Sequence, residues 1–422
     1  MAAIDTMDPA QEYLETMLSR HKKMDDLTER GDSAVQQFYQ DAVVFVTGAT
    51  GFLGKQLIEK LIRSTKLSKV YVVLRPKKGN SVEERLSELL KEPVFDKLRI
   101  QQPAFAEKIV PVAGDVGELN LGISYQEWNI MADEVNVIFH LAAATRFDAS
   151  IRESTLINIR GTKEALRFGK QCKNLNLIEN WPNTYCFTKA IAEEAVRALS
   201  GDLPICVVKP SIGLGLMHTS MTNGKVHLGL IPVDYVNNTI IVAAWETAKQ
   251  KSTKDKKPKV YTVVSTTRSP KKWSDLSKLL KELTVWKYPT PMSMGYSLYL
   301  QTRIPFLYWV YSWLFHMIPA YIADGVCSVL GRQKRFVKLY TKMTRLMVAL
   351  SYFTLNDWHF ADNNTEALYD NLSAADKEIF SFDIDRLNWT EFMSSFVIGV
   401  RQYILKDGLV NTKVKNKLLS PE

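Results

Sequence analysis

Ala42-Val-Val-Phe-Val-Thr-Gly-Ala-Thr-Gly-Phe-Leu-Gly54 joins a short apolar, β-branched run to three glycines spaced G-x-x-G-x-x-G. Leu53, Leu57, Ile58, Leu61 and Ile62 follow at helical spacing, so the stretch reads as strand, tight turn, helix. Gly48 permits the turn, Gly51 lets the backbone approach a pyrophosphate, and Gly54 lets helix and strand close together. Thr50, Phe52 and Leu53 fill the rest of the turn, where the helix start offers unpaired N–H groups and a positive dipole end to phosphates. Glycine trios also mark ordinary turns. The flanking strand and helix are what make this one a dinucleotide cradle.

Working outward, Val70–Leu74, Lys108–Val112 and Val135–Leu141 are further strand-like runs separated by helical stretches, and Val207-Val208 and Val260–Val264 continue the series. The alternation predicts an α/β fold with a Rossmann-like, doubly wound parallel sheet. Arg75 ends the second strand about 20 residues past the last glycine, where an acid would favour NAD and an arginine suits the 2′-phosphate of NADP. A surface arginine at a strand end is the plainer alternative, and Lys77 and Lys78 read equally as helpers or loop charges. Asp115, after the third strand, sits where an adenine-contacting acid belongs, or is a turn residue. Ala142 lies in His140-Leu-Ala-Ala143 after the fourth strand.

Tyr185-Cys-Phe-Thr-Lys189 places a phenol and an ammonium four residues apart, one above the other on a helix face. A free tyrosine titrates near pH ~10, so proton donation at neutral pH needs a nearby cation, which Lys189 supplies. Alone, such a pair is mostly structural. Downstream of a nucleotide fold and of Asn158-Ile-Arg-Gly-Thr162 it reads as catalytic.

The chain has 422 residues, 46% of them hydrophobic and 23% charged, which excludes disordered, collagen-like and disulfide-scaffold classes. Its net charge of +9 raises the question of nucleic acid. Much of the surplus lies in Lys249–Lys272 and after Arg401, without the aromatic interleaving of a single-strand binder, so nucleic acid is not expected as a partner. Anionic head groups or the phosphates of CoA fit that loop better. Cys172, Cys186, Cys206 and Cys327 form no C-x-x-C pair and read as buried thiols; no metal site is expected. A charged, helix-like beginning argues against a cleaved secretion signal.

These motifs resemble the extended short-chain dehydrogenase/reductase superfamily, and more closely the alcohol-forming fatty acyl-CoA reductases of the insect type. Ser33-Ala-Val-Gln-Gln-Phe-Tyr39, Pro182-Asn-Thr-Tyr-Cys-Phe-Thr-Lys189, Lys209-Pro-Ser-Ile212, Ile231-Pro-Val-Asp-Tyr-Val236, Tyr308-Trp309, His316, Pro319-Ala320 and Asn388-Trp389 carry the likeness. It implies reduction of a long-chain acyl-CoA to an aldehyde and then an alcohol with NADPH, with release of CoA. Tyr185 would protonate the alkoxide, Lys189 would tune Tyr185 and hold the nicotinamide ribose, and Asn158 would complete a proton relay. The expected organisation is a helical lead-in over 1–40, an NADP-binding reductase domain over 41–270, and a mainly helical C-terminal domain over 271–422.

The chain departs from that pattern in two places. Only 26 residues separate Asn158 from Tyr185, and no serine occurs from Thr155 through Tyr185, where the family carries a fifth strand with a catalytic Ser or Thr. The expectation is that this strand is missing, with Leu175–Ile178 at most a residual piece. A second shortening follows Gly213-Leu-Gly215. Two alternatives therefore stand beside the reductase: a catalytically impaired relative that binds NADPH or acyl-CoA without turnover, and another extended-family enzyme acting on a sterol or sugar nucleotide. Ile304–Leu330 is long enough for a bilayer of ~30 Å but contains His316, Pro319 and Asp324, leaving a span, an interfacial helix and a buried helical core all open. The resemblance points to a membrane surface at the endoplasmic reticulum or peroxisome. Oligomeric state is not legible.

Overall fold

A computed structural model describes residues 9–76, 79–144, 150–174, 177–180, 205–210, 219–249, 258–290, 300–331, 333–407 and 409. The strands are β1 (Val43–Thr47), β2 (Lys69–Leu74), β3 (Ile109–Ala113), β4 (Val137–His140), β5 (Leu177–Asn180), β6 (Ile205–Pro210), β7 (Thr219–Met221), β8 (Lys259–Val263) and β9 (Leu300–Thr302). Seven of them form one parallel sheet in the order β3-β2-β1-β4-β5-β6-β8. The order reverses at β1, so β1 and β4, neighbours in space, open a crevice at their carboxyl ends.

Alternation along the strands sends side chains into two apolar layers. Val44, Val46, Val70, Val72, Val137 and Phe139 join one core; Phe45, Tyr71, Val73 and Ile138 join the other. Helices α1 (Pro9–Arg30), α2 (Phe52–Ser64), α3 (Tyr125–Glu134), α4 (Gly161–Gln171) and α5 (Val233–Lys249) serve this half. The first core rests on α2 and α5, the second on α3 and α4. Buried aliphatic side chains of this kind contribute ~1.5–3 kcal/mol each.

The fifth strand is present, which corrects the expectation that it is missing. β5 pairs in parallel with β4 from Val137↔Leu177 to His140↔Asn180 and with β6 from Ile178↔Ile205 to Asn180↔Val207. Four residues are too few to announce themselves by periodicity. They are enough to satisfy the facing backbone groups of two strands already held in place. The strand carries no hydroxyl residue.

Residues 363–384 return to this half. Leu368, Leu372, Ile379, Phe380 and Phe382 share the first core with β1 and α2. Lys60 of α2 donates to the Ile379 carbonyl (2.7 Å) and lies over the Phe380 ring. The lead-in docks as well: the Tyr13 hydroxyl donates to the Glu391 carbonyl (2.9 Å), and Arg20 pairs with the Glu391 carboxylate.

The C-terminal part packs Trp273 and Leu276 with Trp389, Met393 and Val397 in a third core, and also contains a helical hairpin: α6 (Pro305–Ser312), a π-turn over Trp313–Met317 and α7 (Ile318–Val329) form one arm, and α8 (Phe336–Thr354) the other. Its base is tied to the body by β9 pairing with β7 and by the Thr354 hydroxyl donating to the Met221 carbonyl (2.7 Å). Among the described residues no helix is long and apolar enough to cross a membrane.

Candidate nucleotide and reductase site

β1 delivers the chain to the crevice, and Gly48 turns it at φ +76°, a conformation side-chain-bearing residues avoid. A Cβ there would also sit 2.6 Å from the Ala142 amide nitrogen, so the turn lies directly against the chain leaving β4. Gly51 caps the 13-residue α2 in extended geometry and supplies no side-chain cap to its first N–H groups, the donors a phosphate would take. A Cβ on Gly54 would overlap the Gly48 carbonyl oxygen, which explains the third glycine as a packing requirement. Thr50 and Phe52 are exposed at the turn, and Leu53 is half-buried. The cradle has the form a pyrophosphate needs: bare backbone and a helix start without a side-chain cap.

Arg75 and Asp115, drawn from the ends of adjacent strands β2 and β3, meet in an ion pair (3.3 Å). Asp115 is fixed from behind, its Oδ1 accepting from the Gly117 N–H (2.9 Å), and Arg85 donates to the Arg75 carbonyl. The Arg75 side chain remains 62% exposed, so its guanidinium is steered by the carboxylate while its other donors stay available. Two residues that the sequence offered separately thus form one unit at the edge where a ribose phosphate would lie.

Ala142 stands at the opposite wall. Its N–H donates to the Thr47 hydroxyl oxygen (3.3 Å), and that same oxygen lies 2.8 Å from the buried His140 Nδ1. Thr47 therefore joins the last residue of β1 to the exit of β4. Sequence reasoning passed over it, although a lone polar residue closing an apolar strand just before the glycine is a signal.

Asn158 is fully buried at the centre of a π-turn, Leu156–Arg160, that leads into α4. Such turns recur at functional sites. Its Oδ1 accepts from the Ala144 N–H (3.0 Å), tying the helix to the chain leaving β4. The rest of Asn158-Ile-Arg-Gly-Thr162 grips the loop after β3: Arg160 donates to the Gly117 carbonyl, and Gly161 abuts Val116 where a Cβ would overlap it. The motif's visible work is to hold the loops of β3 and β4 in mutual register, and Arg160 and Gly161 join the site on that ground. Tyr185 and Lys189 lie outside the described residues, as do Lys77 and Lys78.

A parallel sheet with a glycine cradle at its switch point, walled by the ends of β2, β3 and β4, defines a short-chain dehydrogenase/reductase-type protein that takes a nicotinamide cofactor. Two family models described as male sterility protein match the chain: an NAD-binding one over residues 46–179 and 174–224, and a second over 315–407. The chain belongs to the fatty acyl-CoA reductase family and is an oxidoreductase. It is similar to the fatty acyl-CoA reductase wat of Drosophila melanogaster (28% identical, covering 90% of this chain and 87% of the relative). It is also similar to fatty acyl-CoA reductase 2 of Mus musculus (29%, covering 89% and 87%). Among solved structures it resembles the terminal R domain from the myxalamid PKS-NRPS pathway, at 17% identity and a TM-score of 0.54 over 87% of this chain and 93% of that one. A nonribosomal peptide synthetase R domain from Mycobacterium tuberculosis gives 15% and 0.55 over 89% and 99%. The alignment with the Drosophila relative runs over 457 positions, more than the 422 residues present here, so that relative carries stretches this chain lacks. The NAD-binding match breaks at 174–179, where the sequence is short.

Proposed function

We propose that this chain reduces a long-chain acyl-CoA to a fatty alcohol with NADPH. The thioester accepts a hydride, and CoA leaves as a thiolate that takes up a proton, giving an aldehyde and the free thiol; the aldehyde accepts a second hydride and a proton, so two NADPH are consumed per alcohol formed. The cofactor supplies hydride when bound. The chain's own residues do the rest. Gly48, Thr50, Gly51, Phe52, Leu53 and Gly54 seat the pyrophosphate, Ala142 walls the nicotinamide side, and Arg75 with Asp115 faces the adenosine ribose. The preference for NADPH rests on Arg75. Tyr185 delivers the proton to the alkoxide oxygen, Lys189 favours its ionised form and holds the ribose, and Asn158, which also holds the chain leaving β4 through the Ala144 N–H, completes the proton relay.

The observation that carries this reading is the open cradle at the β1 switch point, in a chain matched by both models of the family. The experiment is NADPH consumption by the full-length protein with a long-chain acyl-CoA, with fatty alcohol measured as product; Tyr185→Phe should lower turnover by ~10²–10⁴-fold while NADPH binding persists. A second reading, nucleotide and acyl-CoA binding without turnover, is favoured by one feature: β5 brings no Ser or Thr to the crevice. Retained NADPH binding with no alcohol would select it. A sterol or sugar-nucleotide dehydrogenase is disfavoured by the match over 315–407. Membrane association, at the endoplasmic reticulum or peroxisome, belongs to the proposal and is supported by the exposed apolar side chains of α6 and α7.

A further inference from the structure

The hairpin is built inside out. Its two arms run antiparallel and meet through polar groups: the Ser312 and Thr344 hydroxyls lie 3.1 Å apart, and His316 stacks on Tyr340 at 5.0 Å. Asp324 accepts from the N–H groups of Arg335, Phe336 and Val337 at 2.9–3.0 Å. The outward faces are apolar. Trp309, Trp313, Ile322 and Val326 are exposed, and the tip residues Val329 and Leu330 are 87% and 63% exposed. A surface of this kind is unfavourable against water, and polar groups turned toward a partner helix are what a lipid environment selects.

Charge narrows the occupant. Between residues 300 and 356 there are seven Lys or Arg and a single acid, Asp324, whose carboxylate is taken up by those three backbone donors. Lys338, Lys342 and Arg345 are exposed at i, i+4 and i+7 of α8, one stripe beside the exposed Phe336, Leu339 and Leu346. A second copy of this chain would bring like charge against like. An anionic lipid surface satisfies both stripes. Among the described residues no helix is long and apolar enough to cross a membrane, and the arm from α6 through α7 carries Pro319 and Asp324 within it.

The geometry points to monotopic docking: the hairpin Pro305–Thr354 lies on an anionic phospholipid surface, with Val329 and Leu330 entering the head-group layer and the α8 basic stripe held over the head groups. This deepens the membrane association proposed above and requires no turnover. The test is flotation of the full-length protein with phosphatidylcholine vesicles, with and without phosphatidylserine, alongside NADPH binding as a readout of the sheet half. Wild type should bind the phosphatidylserine vesicles preferentially and lose binding as salt rises. Lys338→Gln/Lys342→Gln/Arg345→Gln should weaken that binding about a hundredfold, and Val329→Asp/Leu330→Asp should abolish it, both with NADPH binding unchanged. Quenching of tryptophan fluorescence by brominated lipid should be seen in the wild type and fall in Trp309→Phe/Trp313→Phe, a second readout of the same face. Vesicle binding indifferent to both variants would assign the contact elsewhere, such as Lys249–Lys272, and overturn the inference. So would absence of binding, or self-association that Val329→Asp dissolves. Absence of fatty alcohol with vesicle binding intact would overturn the reductase reading alone.

Discussion

In the sheet, Val44, Val46, Val70 and Val72 point into one apolar layer while Phe45, Tyr71 and Val73 point into the other; in the hairpin, Ser312, His316 and Asp324 point inward and Trp309, Ile322 and Val329 outward. The first pattern is driven by water leaving buried apolar surface. The second leaves that surface uncovered, and its arms are held in register by directional bonds. The difference teaches that the two halves should respond oppositely to the same kind of substitution: added bulk should damage the sheet half, and lost polarity should damage the hairpin.

The largest effect is expected at Gly54. A side chain there overlaps the Gly48 carbonyl, so Gly54→Val should cost more than about 3 kcal/mol and abolish NADPH binding, whereas Gly325→Val, at a helix position with open space around it, should leave cofactor binding unchanged. Equal losses by chemical denaturation at both glycines would break the comparison.

Next comes a polar group on the wrong side of the divide. Burial, helped by the charge of Arg63, pulls the Lys60 ammonium down to about 7. The unfolded chain titrates near ~10.4, so between those values it binds more protons than the fold does and stability rises with pH. Below about 7 the penalty is fully present. Lys60→Met should remove that slope and stabilise the protein by roughly 2 kcal/mol at neutral pH, net of the lost bond to Ile379. Parallel melting curves for the two proteins from pH 6 to 9.5 would count against the buried assignment.

In the hairpin the sign reverses. Asp324→Leu, apolar and similar in bulk, should raise hydrogen exchange at the start of α8 about tenfold, with Asp324→Asn intermediate. The sheet amides should not change. Smallest is Arg75→Ala, expected to raise the KM for NADPH about tenfold while leaving that for NADH nearly fixed; equal changes for both cofactors would show that Arg75 does not read the 2′-phosphate.

Much of the sheet was legible in the sequence because both of its determinants are local. The β-branched runs at Val43–Thr47 and Lys69–Leu74 announce strands, and Gly48 announces a turn through a backbone conformation that few other residues adopt. β5 was not legible, since Leu177–Asn180 owes its conformation to partners on either side, contributed by distant segments. The pairing of Arg75 with Asp115 needed two strands to be adjacent. The hairpin was legible as aromatic helix, but composition does not say which face a residue takes. Its charge escaped notice for the same reason. The surplus in Lys249–Lys272 is contiguous, whereas Lys338, Lys342 and Arg345 become a stripe only when wound on a helix.

The return of residues 363–384 to the first core bears on synthesis. When translation has reached β8, all seven strands of the main sheet exist, yet the face carrying Val44 and Leu57 still lacks Leu368, Ile379 and Phe380. At ribosomal speed the missing cover arrives on the order of ten seconds later. For that interval the nascent cofactor fold exposes a greasy flank, a natural holding site for a chaperone.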